Sequence, residues 1–389
     1  MERMPSAFRE QYFSLFAGPE PETLHPDLYQ RLIDDGTNLI LDHIKEYNRT
    51  RKELLKRMGD KIKVEQLECD EELASNRVVA SDAGNNGVDL RSTFAPLYAS
   101  TGLAAEGWTI IDEPICRAGK PEIWPNEPKA KEREAMLASK IQFDVTREAV
   151  DKWKPKLVTI DGPIRLYFSL IASTRSSNDY AKDFKDTIAS AVSLLQTCSE
   201  NDIPLVGFVK RTRRNQICRS FGMPQLRDTA LLDLILRLGQ YTPPEPKPMG
   251  GPVAGYYRKT AKKMDIPDQK IKEITNIHSF YIRTGLTTPF RLEVPEYCID
   301  RSREIGTILF TTSEEDGIPF AIHEADQLTR ITTSLSNIRT LMLYSKALDL
   351  VKTGEMDPED LNLLALQHGE TWTLRDDNYW SNTLTQGKE

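Results

Sequence analysis

The sequence predicts an α/β protein, and three short apolar runs separated by helical stretches carry that prediction. The runs are Val78-Val79-Ala80-Ser81-Asp82, Leu157-Val158-Thr159-Ile160-Asp161 and Ile203-Pro204-Leu205-Val206-Gly207-Phe208-Val209. Each has the length and composition of a buried strand and is closed by a turn signal or a charge. The first two stop on an aspartate followed by small turn residues, Ala83-Gly84 and Gly162-Pro163, and the third stops at Lys210. A buried strand that ends on a charge and then turns delivers that charge to the rim of the sheet, where ligands and metals are met. If both aspartate strands belong to one sheet, Asp82 and Asp161 could share a divalent cation, a geometry that suits phosphodiester hydrolysis. Either strand end alone has a structural explanation, because Asp and Gly are favoured turn residues.

The elements follow in order. From His25 to Met58, Leu28, Leu32, Ile33, Leu39, Ile40, Ile44, Leu54 and Leu55 recur at helical spacing among charges, which predicts a helical N-terminal extension over residues 1–70. It would pack on the main domain or on a partner. Gly84-Asn85-Asn86-Gly87 has hairpin-turn composition, and Phe94 to Ala105 reads as the second strand. A Pro-rich patch, Lys120 to Pro128, precedes a helix from Lys129 to Trp153. On that helix Glu134, Leu137, Ile141, Asp144, Val145 and Glu148 fall within an arc of about 100°. Carboxylates on a buried face must be paired or bind a metal; alternatively Asp144 and Glu148 lie at the edge of the face and reach water.

Beyond Asp161 the sequence reads as a helix from Tyr180 to Ser199 and then the strand ending at Lys210. Behind it lies the densest basic cluster of the chain, Arg211, Arg213, Arg214 and Arg219. The cluster is either a solvated loop or a DNA-backbone grip, with Lys210 beside the carboxylates and facing the scissile phosphate. A helix from Arg227 to Leu238, a Pro/Gly-rich connector from Tyr241 to Gly255, and strands at Ser279–Arg283 and Phe290–Pro295 follow. Ile305 to Thr311 reads as a further strand and Glu324 to Leu350 as mainly helical. The main domain is therefore expected over residues 71–370, with a polar C-terminal tail at 371–389.

Bulk properties narrow the function. The 389 residues, 39% hydrophobic and 28% charged, are globular in composition and can bury a substantial core. No apolar stretch is long enough to cross a membrane, and Met1-Glu2-Arg3-Met4-Pro5 lacks a signal-peptide core, so a cytoplasmic location is expected. The five cysteines are scattered without a C-x-x-C pair, which supports neither a disulfide framework nor a cysteine zinc site. A net charge of −7 argues against a protein that coats nucleic acid, yet it is compatible with a nuclease, which needs negative charge at its metal site and positive charge only along the strand. There is no P-loop motif, so any ATP-driven motion must come from a partner. His323-Glu324-Ala325-Asp326-Gln327 begins like a zinc-protease motif but has Gln327 where the second histidine belongs. Oxygen ligands, and with them Mg²⁺ or Mn²⁺, are the better expectation.

Taken in order, strand-Asp82, the acidic helix, strand-Asp161-Gly162-Pro163, strand-Lys210, Phe280-Tyr281-Ile282-Arg283 and Gly317-Ile318-Pro319 leading to Ala325-Asp326 resemble the NurA nuclease family. The resemblance spans roughly residues 75 to 340. It implies a ribonuclease-H-like fold, a mixed five-stranded sheet flanked by helices, with acidic residues from two strands and a helix binding Mn²⁺ or Mg²⁺. It further implies a homodimer around a DNA channel that works with the hexameric ATPase HerA in DNA end processing or repair, or in antiphage defence. Position by position, Asp82 and Asp161 match the two strand aspartates and Lys210 the lysine after the third strand. Asp144 is the best-spaced match for the helical acid, with Glu148 in reserve. The family's Tyr-Pro and Ala-His pairs stand here as Ile318-Pro319 and Ala325-Asp326, so His323 compensates, Asp326 is a further ligand, or the site has altered activity.

The expected mechanism has Asp82, Asp144 and Asp161 holding one or two divalent cations that activate water and stabilise the leaving oxygen. Lys210 would neutralise charge on the phosphoryl oxygens, and Arg211, Arg213 and Arg214 would hold backbone without reading bases. Two alternatives differ in class: a catalytically weak DNA-binding or docking subunit on the same fold, and an unrelated hydrolase of small phosphate esters.

Overall fold

The computed structural model describes Asp27 and, from Gln30 to Leu364, all residues but 91, 126–127 and 174–175. The expected polar tail at 371–389 and the start of the N-terminal extension lie outside the described residues. The chain divides into two compact units that meet in sequence between Lys61 and Ile62. In the first, a turn of π-helix at Gln30–Asp35 leads into α1 (Gly36–Met58). Lys56 and Arg57 stand in the last turn of α1, where cations oppose the negative end of the helix dipole.

The second unit is built on a ten-stranded mixed sheet. Its longer strands are β1 (Arg77–Asn85), β2 (Tyr98–Glu106), β3 (Leu157–Asp161), β4 (Leu205–Val209), β5 (Ile277–Arg283) and β6 (Phe290–Pro295), in the spatial order β5-β6-β4-β3-β1-β2. β1, β3 and β4 run parallel, and the other pairings are antiparallel. The sheet is mixed as expected but larger than five strands. The β5–β6 hairpin pairs onto β4 through β6 and removes what would be an open edge beside the site. Two-residue strands at Glu65–Gln66 and Gln240–Tyr241 continue it past β5, and Thr109–Ile110 and Ile115–Ala118 pair with β2.

Both faces of the central strands are apolar, which is why they read as continuous runs. Val79, Val158, Ile160 and Leu205 point to one face, and Val78, Ala80, Leu157, Val206 and Phe208 to the other. On the first face lie α2 (Ala130–Trp153) and α3 (Asn178–Glu200), whose Phe143, Val150, Phe184 and Leu195 join that core. α4 (Asp228–Ile235) packs Leu232 on Tyr281 of β5. α5 (Pro252–Lys263) and α6 (Asp268–Thr275) add Tyr257 and Ile274 to the first core. The opposite face is covered by α7 (Ser302–Thr311) and α8 (Phe320–Thr329), and α9 (Thr333–Thr353) closes the described chain's long helices.

Two expectations are corrected. Ile305 to Thr311 is helical, not a strand: Ile305, Ile308 and Leu309 recur at three and four residues and bury together, and a short apolar run cannot separate the two periods. The strand expected from Phe94 is broken at Pro96, which has no N–H for a ladder; Thr93–Ala95 joins a separate three-stranded sheet before β2 starts. The stretch Glu324–Leu350 is mainly helical as expected, in two helices divided at Arg330–Thr332, where the Thr332 hydroxyl accepts from Leu335 N and starts α9.

Candidate active site

The site forms where three parallel strands end. Pairing between β1 and β3 stops at Ser81 opposite Ile160, so the two chains part where Asp82 and Asp161 begin. Asp161 lies level with Phe208, which places Lys210 just past the end of β4. The turn after Asp161 needs Gly162, whose φ of +111° is open only to glycine and whose N–H donates to Phe208 O at 2.9 Å.

A fourth group arrives from the other side. Ile322, Ala325, Asp326 and Thr329 occupy one stripe of α8; the first two bury against the sheet, and the same stripe carries Asp326 and Thr329 to the ends of β1 and β3. The Thr329 hydroxyl donates to Asp82 Oδ2 at 2.7 Å. Gly84 makes this approach possible, because a Cβ there would overlap the Thr329 carbonyl oxygen. One carboxylate oxygen each from Asp82, Asp161 and Asp326 lies within 4.8 Å of the others. Lys210 Nζ stands 2.6 Å from Asp161 Oδ2 and 2.8 Å from Asp326 Oδ1.

These surroundings change the acidities. Burial raises the Asp82 carboxyl above its ordinary value, against the Thr329 hydrogen bond that lowers it. Burial, and after it the charge of Asp82, push Asp161 up to about 7. Burial alone would lower Lys210, but its ion pairs with Asp161 and Asp326 more than offset this and hold it above the usual lysine range. Three carboxylates face one ammonium, leaving a deficit of positive charge in an all-oxygen donor set. Such a set fits a hard divalent cation of the Mg²⁺ or Mn²⁺ type. The site opens into a cavity of about 750 Å³ lined by Asp161, Lys210, Asp326, Tyr167 and Arg211, among others.

The structure brings Asp82, Asp161 and Lys210 together and leaves Asp144 outside. Asp144 Oδ2 accepts from Lys140 Nζ at 2.9 Å, one turn away on α2, and Glu148 pairs with Arg117 at 2.5 Å. The buried face of α2 runs through Ala138, Gln142, Thr146, Ala149 and Trp153, to one side of the expected stripe, because α2 is covered by α3 as well as by the sheet. Glu134 is buried, yet its carboxylate serves the backbone, accepting from Gly87 N at 3.1 Å and Leu97 N at 2.6 Å and from Asn85 Nδ2 at 3.0 Å. His323 is not at the site; it lies beside Gln327, 2.6 Å away, and Glu314.

Two supporting residues had no place in the sequence reading. Gln142 Nε2 donates to Ser81 O and Asp161 O, each at 3.0 Å, and so ties β1 to β3 where they part. Thr329 orients Asp82. A buried Gln on a helix face was the available signal for the first; nothing local marked the second.

The basic cluster lies next to the carboxylates. Arg211 and Arg213 are exposed, and Arg214 pairs with Glu245 at 2.8 Å. Fully buried Asp228 pins this loop from behind, accepting from Gln216 N and Cys218 N at 2.9 Å each and from the Tyr281 hydroxyl at 2.9 Å.

A mixed sheet with helices on both faces and a carboxylate cluster at its parallel strand ends defines a carboxylate-centred α/β protein. A family model described as the NurA domain matches residues 77–331, and the chain belongs to that family. The fold agrees. The crystal structure of the NurA nuclease from Sulfolobus solfataricus superposes with a TM-score of 0.57 at 15% identity, covering 85% of this chain and 98% of that one. A crystal structure of NurA with manganese gives 0.53 at 13% identity, covering 82% and 98%. No curated protein matches the chain by sequence.

Proposed function

We propose that this protein is a divalent-metal-dependent DNA nuclease whose cation is held by Asp82, Asp161 and Asp326. The observation that carries the reading is the meeting of three carboxylate oxygens within 4.8 Å. Family membership supports nuclease chemistry, and a related structure holding manganese supports Mn²⁺, with Mg²⁺ sharing its preference for oxygen. A cation held by Asp82, Asp161 and Asp326 would supply the Lewis acidity that activates water and stabilises charge on the leaving oxygen. Lys210 is positioned to neutralise a phosphoryl oxygen, Thr329 and Gln142 hold the aspartates in place, and Arg211, Arg213 and Arg214 grip backbone. Asp144 keeps its lysine in this reading, so Asp144→Asn is expected to leave more activity than Asp161→Asn.

The reading extends to a cytoplasmic homodimer working with a HerA-type hexameric ATPase in DNA end processing, repair or antiphage degradation. It is supported by the family and by the exposed Leu39, Ile40 and Ile44 of α1, which suit a partner surface. No described helix is long and apolar enough to cross a membrane. Mass measurement of the purified protein, alone and after co-expression with the ATPase, tests the assembly; a lone monomer in both would overturn it.

The catalytic reading is tested with Asp82→Ala and Asp161→Ala on linear and circular DNA with Mn²⁺. Full metal-dependent cleavage by both variants would sink it. Asp326 and Ile318, where the family carries His and Tyr, favour one second reading, a catalytically weak DNA-binding or docking subunit. A Mn²⁺ titration separates the two, since that subunit would bind DNA and leave it intact at every concentration.

A further inference from the structure

A second cavity, of about 510 Å³, adjoins the acidic opening, and Tyr167 lines both. Its walls carry Arg211, Arg213, Arg214 and Arg291. Only two of the four guanidiniums have a carboxylate partner among the described residues: Arg214 with Glu245, and Arg291 with Glu293 at 2.7 Å. Arg291 is 8% exposed, and its Nε is buried without a hydrogen-bond partner. A buried cation with an unmet donor, beside two unneutralised arginines, is an anion site in chemistry and in charge. Tyr167, one of its lining residues, is 54% exposed, and Phe168, the next residue in the chain, is 69% exposed. Phe168 shares a smaller cavity with Arg165 and Arg291.

We infer that this cavity is a phosphate subsite, separate from the carboxylate centre, that holds a DNA phosphate near the one being cut while Tyr167 and Phe168 stack on unpaired bases beside it. The inference rests on the DNA reading of the adjoining site and adds to it a form of substrate, a strand whose bases are free to stack. The arginines supply charge that any nucleotide meets equally, and the aromatics supply a surface open only to a base out of its duplex. The phosphate is either the terminal one of a strand end or an internal one of the backbone.

The full-length protein in EDTA is titrated with a short fluorescent single-stranded oligonucleotide, 5′-phosphorylated or 5′-hydroxyl, and with the matching duplex. Arg213→Gln is expected to weaken single-strand binding about tenfold at low salt and to reduce the salt slope by roughly 0.7, the release expected for one single-strand phosphate. Tyr167→Leu is expected to weaken it about tenfold with the salt slope unchanged, and to affect blunt duplex less. A loss confined to the phosphorylated oligonucleotide assigns the cavity to a terminal phosphate, and an equal loss on both assigns it to the backbone. Arg291→Gln is measured alongside; should that variant fail to fold, the exposed Arg213 still decides the outcome. Unchanged affinity and salt slope in Arg213→Gln would overturn the inference. Because binding is read in EDTA, where no metal-dependent cleavage occurs, loss of the catalytic reading and loss of the subsite are told apart.

Discussion

Lys210 reaches from the end of β4 to Asp161 at the end of β3, its Nζ 2.6 Å from Oδ2, and shares the same ammonium with Asp326. The lysine therefore carries part of the positive charge that the three carboxylates require, and its removal is felt most when Asp161 is ionised. Lys210→Met should destabilise the metal-free protein by about 1–3 kcal/mol at pH 8, between the cost of breaking an exposed ion pair and that of breaking a buried one, because the pair is only partly buried. At pH 5, where Asp161 holds its own proton, the loss should be much smaller. Thermal melts in EDTA at the two pH values check this, and an equal loss at both would contradict it.

The raised pKa of Asp161 fixes a sign for the pH dependence of stability. Its carboxyl titrates at about 7 when folded and near 3.8 when unfolded. Between these values the folded protein binds a proton that the unfolded chain has released, so stability present below pH 4 is lost as pH rises through about 7. Denaturant unfolding of metal-free protein from pH 4 to 8 should show this fall, and Asp161→Asn should lack that part of it. A cation binds only the ionised site, so at limiting Mn²⁺ cleavage should rise over the same interval.

Asp228 holds the arginine loop without touching the cavity. Asp228→Asn keeps the volume but replaces one of the two oxygens that accept from Gln216 N, Cys218 N and the Tyr281 hydroxyl with a donor, at a cost of roughly 1–3 kcal/mol. Faster tryptic cutting between Arg211 and Arg219 and weaker DNA binding are the expected readouts. Unchanged proteolysis would count against this role.

Gly84→Ala should force the end of α8 away from β1 and loosen Thr329 from Asp82. We expect a loss of about 1–3 kcal/mol, the range for inserting a methyl into a packed position, with a larger fall in cleavage than in DNA binding. Gly255→Ala is the control: it sits in α5 at ordinary helical φ with open space around its would-be Cβ, and should be neutral or stabilising by up to about 1 kcal/mol.

The three strands, the two strand aspartates and Lys210 were legible because a doubly covered strand leaves a continuous apolar run, and the charge that stops it is conspicuous. Asp144 stood out because counting carboxylates into the helical stripe drew the stripe toward them. The real buried face of α2, packed against α3 as well as the sheet, centres on Gln142 and leaves Asp144 at its edge. Asp326 could be weighed as a ligand only through the family resemblance, since its proximity depends on how α8 crosses the sheet. The strand expected at Ile305 failed because apolar spacing over seven residues serves either period.

The carboxylate cluster draws on β1, β3 and α8, so its last member comes from late in the chain. During synthesis, a ribosome that has released β4 has already supplied Asp82, Asp161 and Lys210, but the third acid and the threonine that aligns the first are still to be made. A chain stalled or clipped before Pro319 lacks Asp326 and Thr329 altogether. The order of translation therefore leaves the acidic centre incomplete until α8 has been made.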